Sequence, residues 1–205
     1  MKLKIGSLLI LALFAFTGIV LLAADSPFKL EPGFTSLFNG RDLDGWGYRA
    51  GSGPVTNLGT ATQSSDGRFT AHDGLITDNP FDAAKSPTRI RMLWTTRTFS
   101  NNFHLILEFR ANTNADSGLF LRSQATQLQV RDYYVAGPDA YKKLKNYKPQ
   151  DWNVIDVTVT SNIARCLCNG EVLEEAFKLP ANGPIGLEAD RGQMDYRNIR
   201  IMELP

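Results

Sequence analysis

Cysteine and histidine are almost missing from this 205-residue chain, with two of each, and their scarcity removes whole classes of chemistry. His72 and His104 stand far apart, and no His-x-His or His-Glu-x-x-His spacing exists. A catalytic zinc site and a Ser-His-Asp triad are therefore unsupported. Cys166 and Cys168 are too few for structural zinc. Two apart on an extended strand, they share a face on a backbone too stretched for an easy mutual disulfide, so they read as small packing residues. Scattered aspartates leave a calcium site open, but no EF-hand-type loop is present. Neither a metal nor a cofactor is assigned.

An excess of charge of one sign is missing too. Lys and Arg number 22 against 21 Asp and Glu, for a formal charge of +1, and without Lys2 and Lys4 the balance is 20 against 21. With no basic block, nothing electrostatic recommends nucleic acid or an anionic membrane as a partner. No internal repeat, charge run or low-complexity stretch divides the chain. With 43% hydrophobic and 10% aromatic residues, it can bury a sizeable core in one domain. Helical periodicity is nearly absent; only Pro138 to Leu144 suggests a short helical turn, closed by Pro149.

One long apolar run is present, at the start. Lys2 and Lys4 precede Ile5 to Leu22, which is apolar apart from Ser7, Thr17 and two glycines. Ala23 and Ala24 then lead into Asp25-Ser26-Pro27. This is the order of a Sec signal peptide cleaved after Ala23 or Ala24. The expected product is an exported protein, periplasmic or extracellular, with residues 25–205 as one domain and no membrane attachment after cleavage. The competing reading is an uncleaved anchor, since the run nears the length that spans a bilayer. No Cys follows it, so lipid attachment through cysteine is not supported.

Beyond residue 27, Gly and Pro punctuate short apolar runs in the rhythm of an antiparallel β protein. Phe103 to Arg110 alternates, with Phe103, Leu105, Leu107 and Phe109 on one face and His104, Ile106, Glu108 and Arg110 on the other. Gly118 to Arg122, Leu128 to Asp132, Val154 to Thr160, Ile185 to Leu187 and Tyr196 to Met202 read as further strands. Ile163 to Cys168 and Glu171 to Ala176 flank Asn169-Gly170, the dipeptide that supplies a type I′ turn. Residues 47–66 read as loop with one weak strand. Strands without intervening helices predict an all-β, two-sheet antiparallel sandwich. Trp46 and Trp152 are assigned to packing.

Several segments, in order, resemble the domain of unknown function 1080 family, described as the 3-keto-disaccharide hydrolase domain. They are Leu37-Phe38-Asn39-Gly40-Arg41-Asp42-Leu43-Asp44-Gly45-Trp46, Glu108-Phe109-Arg110, Asp116-Ser117-Gly118-Leu119-Phe120-Leu121-Arg122 and Asp151-Trp152-Asn153. Gly183-Pro184-Ile185-Gly186-Leu187 and Tyr196-Arg197-Asn198-Ile199-Arg200-Ile201 complete the set, so the likeness spans residues 33–204. The resemblance implies a concanavalin A-like jelly roll of the lectin/glucanase type that cleaves 3-oxo-glycosides made by a separate dehydrogenase. Two segments depart from the pattern. Gln127 stands where the family often has Glu. Glu188 and Asp190 stand where it often has Gln and His.

A 3-oxo group acidifies the C2 proton, so the reaction needs a base, donors or a cation facing the enolate, and an acid for the leaving oxygen. Glu188, Asp190 and Glu108 are the candidate catalytic carboxylates. Arg122 is the candidate enolate clamp, with Gln129, Asp132, Tyr133 and Tyr134 as substrate contacts; the two tyrosines are placed in a loop able to stack on a sugar. The alternative is a non-catalytic carbohydrate-binding module on the same sandwich, which needs aromatics and donors but no base.

Overall fold

The computed structural model describes residues 28–205, through which fourteen strands run. Residues 1–24, read above as a signal peptide, and the cleavage point that follows lie outside the described residues. The larger sheet orders β12 (Glu171–Lys178), β11 (Ile163–Cys168), β10 (Asn153–Thr160), β7 (Phe103–Ala111), β14 (Met194–Glu203), β5 (Leu75–Asp78) and β4 (Phe69–His72), with β1 (Thr35–Ser36) alongside β14. The smaller orders β3 (Thr56–Asn57), β2 (Trp46–Tyr48), β6 (Arg91–Phe99), β13 (Gly183–Ala189), β8 (Asp116–Leu121) and β9 (Gln127–Arg131). The chain is a two-sheet antiparallel jelly-roll sandwich.

Period-two patterning decides the centre of the larger sheet. Phe103, Leu105, Leu107 and Phe109 of β7 are fully buried and pair in register with the buried Val159, Val157, Ile155 and Asn153 of β10. From the other sheet Leu93, Leu119, Leu121, Val130, Ile185 and Leu187 close onto them. Each such side chain contributes about 1.5–3 kcal/mol of burial. Trp46 is fully buried with its indole N–H donating to the Leu37 carbonyl at 2.6 Å. Cys166 and Cys168 are free and buried, and burial pushes each thiol up to about 12.

At the β11–β12 hairpin, Asn169 and Gly170 both take positive φ, 48° and 82°. Asn169 also accepts from the Val154 amide at 2.8 Å and donates to the Asn146 carbonyl at 2.7 Å. A Cβ on Gly170 would meet nothing within 4 Å, so the penalty for a larger residue there lies in the backbone alone. Replacing Gly170 by Val should cost about 1 kcal/mol or more, seen as a lower midpoint in urea unfolding.

Strand β6 is hidden in the sequence for a structural reason. Its pairing with β13 slips between Pro184 and Gly186, and the slip breaks the alternation: Leu93 to Thr95 are all buried, Thr96 to Thr98 all exposed. Strand β13 is buried at every position, so it shows no period either. The stretch read as loop with one weak strand holds two short ones, β2 and β3. The helical turn falls at Tyr141–Lys143.

Candidate active site

Side chains that point away from the core on the smaller sheet form rows across its strands. Trp94, Gly186, Phe120 and Gln127 make one row, in register from β6 through β13 and β8 to β9. The next row holds Met92, Glu188, Gly118 and Gln129, since Met92 pairs with Glu188 and Gly118 with Gln129. Asp116 pairs with Arg131 in the row beyond, where Asp190 follows the end of β13. This polar face is built on strands, which hold side chains in place better than loops.

Glu188 sits at the middle of that face and is 8% exposed. Burial pushes its carboxyl up to about 7; the Asp190 and Asp116 carboxylates add to the push, while the Gln127 amide and Arg131 oppose it. Gln127 Nε2 donates to Glu188 Oε2 by lying over Gly118, where a Cβ would stand 2.1 Å from that nitrogen. Positions 127 and 188, both departures from the pattern in the resemblance above, thus bond each other directly. Asp190 Oδ1 faces Arg89 Nε at 3.1 Å. Asp116 is shared by Arg131 at 3.0 Å and Arg191 at 3.6 Å, with burial raising its pKa. Gln129 lies on the Glu188 row, and among the described residues its shielded Oε1 has no hydrogen-bond partner.

Trp94 stacks on Phe120 with ring centroids 5.2 Å apart, and its ring lies over Gly186. Arg49 covers Trp94 from the other side, its guanidinium carbon 3.9 Å from the ring centroid. Arg49 also borders a hollow lined by Tyr48, Ile90, Arg91, Met92 and Trp94. On its far side opens a cleft of about 440 Å³ lined by Ser52, Pro54, Thr96, Thr98 and Asn182, among others. Among the described residues, no group of three or more His, Cys, Asp or Glu side chains is placed to hold a metal ion.

Glu188, Asp190 and Gln129 thus share one face; the other candidates do not join them. Glu108 faces outward on the larger sheet, on the opposite side of the sandwich, held by Arg197 Nε at 2.7 Å and Asn198 Nδ2 at 2.8 Å. Arg122, at a φ of 69°, turns its guanidinium to Asn162 Oδ1 and to the Asn101 and Pro180 carbonyls at 2.7, 2.6 and 3.0 Å. Its two terminal nitrogens are thus spent on loops, while its shielded Nε has no hydrogen-bond partner among the described residues; Arg122 borders the cleft beyond Arg49 and is not in the rows around Glu188. Asp132 is buried and accepts from the Asn114 amide and the Tyr147 hydroxyl at 2.9 and 3.3 Å. Tyr133 is fully buried, its hydroxyl donating to the Gln129 carbonyl at 2.9 Å, and offers no face to a sugar. Tyr134 keeps an exposed ring, yet it leans edge-on against Tyr147 in the loop after β9, not among the rows around Glu188. Asp116, Gln127, Trp94 and Arg49 were not among the candidates. Asp116 and Gln127 lie inside motif segments, whereas nothing local marks Trp94 or Arg49.

Among the solved structures that share the fold are two that cover most of this chain. Both are candidate glycosyl hydrolases from Parabacteroides distasonis. One is 16% identical with a TM-score of 0.62, covering 84% of this chain and 95% of its own. The other is 18% identical with a TM-score of 0.58, covering 83% and 99%. Comparison with curated proteins gives no match. The family profile described as the 3-keto-alpha-glucoside-1,2-lyase-like domain matches residues 33–202. A match over that much of the chain, on a sandwich with this polar face, assigns the protein to the 3-keto-alpha-glucoside-1,2-lyase-like domain family, a carbohydrate-active fold.

Proposed function

We propose that the protein is an exported enzyme that cleaves 3-oxo-glycosides by elimination and hydration, with Glu188 as the base. The observation that carries this reading is a carboxylate poised near neutrality at the centre of a strand-built face. A general base works best when its pKa lies near the working pH. Glu188 Oε2 is occupied by Gln127, which leaves Oε1 to take the proton. That proton leaves C2, whose acidity comes from the neighbouring 3-oxo group. The electron pair left on C2 forms the C1–C2 double bond as the C1–O bond breaks. The leaving oxygen takes a proton, for which protonated Glu188 is the nearest donor. Water then adds across C1–C2, so the net result is hydrolysis. The substrate must come from a dehydrogenase that oxidises the sugar at C3.

The test is direct. Purified protein given a 3-oxo-disaccharide should release both sugars, followed by NMR. Binding of the sugar without any cleavage would replace this reading with a carbohydrate-binding module. Export is checked separately: the N-terminus of the secreted product should be Ala24 or Asp25, and an intact Met1 on a membrane-bound product would refute it.

A further inference from the structure

Arg122 has both terminal nitrogens on loops and stands outside the rows around Glu188, so a cation for the developing enolate is sought among the arginines around the smaller sheet. Arg89 is held by Asp190, Arg91 by Asp66, and Arg131 and Arg191 by Asp116. Arg49 differs. It is half-buried and flat on Trp94, and among the described residues it has no hydrogen bond or ion pair. Stacking on an indole stabilises the cation, but it leaves the guanidinium's N–H donors unspent. Burial without a partner lowers the Arg49 pKa, the mark of a cation whose lost hydration nothing has replaced. Such a group is completed by an oxygen from a ligand.

Its position says which oxygen. The Trp94 ring beneath it lies over Gly186, two residues before Glu188 on the same strand. Two residues of extended chain span about 7 Å, roughly the width of a sugar ring with one hydrogen bond at its edge. The hollow that Arg49 borders is also lined by Met92, the register partner of Glu188 on the neighbouring strand.

We propose that Arg49 is the catalytic contact for the C3 oxygen of the substrate. As Glu188 takes the C2 proton, the C2–H electrons become the C2–C3 double bond and the carbonyl oxygen becomes an enolate oxyanion. Arg49 holds that charge until the electrons return through C2 and expel the C1 oxygen. The cleft beyond Arg49 then receives the far end of the ligand. The assignment rests on Glu188 being the base.

The experiment compares full-chain wild type, Arg49→Met, Arg49→Lys and Arg49→Ala on a 3-oxo-glycoside. It reads exchange of the C2 proton with deuterated solvent, turnover and melting temperature. Arg49→Met should lose about 10²- to 10³-fold in both exchange and turnover, with a melting temperature within about 2 °C of wild type. Arg49→Lys should keep part of the rate, and free guanidinium at non-denaturing concentration should restore part of it to Arg49→Ala. Wild-type turnover in Arg49→Met overturns the proposal while leaving Glu188 as the base. So does a loss that guanidinium cannot rescue and that tracks a fall in melting temperature, since Arg49 would then only support Trp94. A wild type that neither exchanges the C2 proton nor cleaves overturns the Glu188 reading, and the Arg49 role with it.

Discussion

Glu188→Gln should cut turnover of a 3-oxo-glycoside about 10²- to 10⁴-fold, the usual size of a lost general base. The amide keeps the shape and can still accept from Gln127, so the fold should survive. The pH profile identifies the group. A base must be deprotonated to act, so wild-type kcat/KM should rise through about pH 7, where the Glu188 carboxyl titrates. Asp190→Asn removes a like charge that helps raise that pKa; the limb should move to lower pH with much of the rate kept. Activity that survives Glu188→Gln and dies in Asp190→Asn would assign the base to Asp190. Stability supplies a second reading with a definite sign. A carboxyl whose folded pKa is raised above 4.5 to about 7 binds protons more tightly in the folded state. Its neutral form therefore contributes stability below about pH 4.5 that is lost as pH rises towards 7. Glu188→Gln should flatten that slope and make the protein more stable than wild type at pH 8, as denaturant titrations at pH 4.5 and 8 would show.

Gly186→Val should destabilise by about 3 kcal/mol or more. A Cβ at Gly186 would stand 2.6 Å from the Trp94 ring, and no small shift relieves it. The indole is clamped between the strand below and Arg49 above, with Phe120 beside it. If the variant folds, Trp94 and Arg49 must leave their places, and activity should fall with them. Gly186→Ala tests the same contact with less bulk, and its loss in urea midpoint should be smaller. Equal stability of wild type and the valine variant would mean that Trp94 does not lie on this strand.

The larger sheet was legible because its side chains obey one rule. In β7 and β10 each inward residue meets the other sheet and each outward one meets solvent, so period two appears in the sequence. The Asn169-Gly170 turn was legible from its dipeptide alone. Strands β6 and β13 break that rule, because a slip in register flips the faces of β6 and because Trp94 covers the outer side of Gly186. The candidate site divides in the same way. The motif positions drew attention to Glu188 and Asp190, and the structure sets them beside Asp116. Alternation placed Glu108 correctly on an outward face but could not say which side of the sandwich carries the chemistry. The left-handed backbone at Arg122 and the loop that folds over Tyr133 redirect their side chains, and no local pattern announces either. Arg49 meets Trp94 across 45 residues of chain, a contact that only the assembled sheet creates.

The strap made by Arg122 has a consequence for how the molecule comes apart. Asn101 lies between β6 and β7, Asn162 between β10 and β11, and Pro180 between β12 and β13, and one guanidinium holds all three. Connections far apart in sequence are thereby made to fray together or not at all. If such a contact, gathered from loops far apart in sequence, forms only after the folding transition state, Arg122→Ala should speed unfolding and leave the folding rate unchanged, as the two arms of a chevron plot would show. The lifetime of the folded state then shortens by the same factor as the folding equilibrium constant falls, with the folding rate left alone.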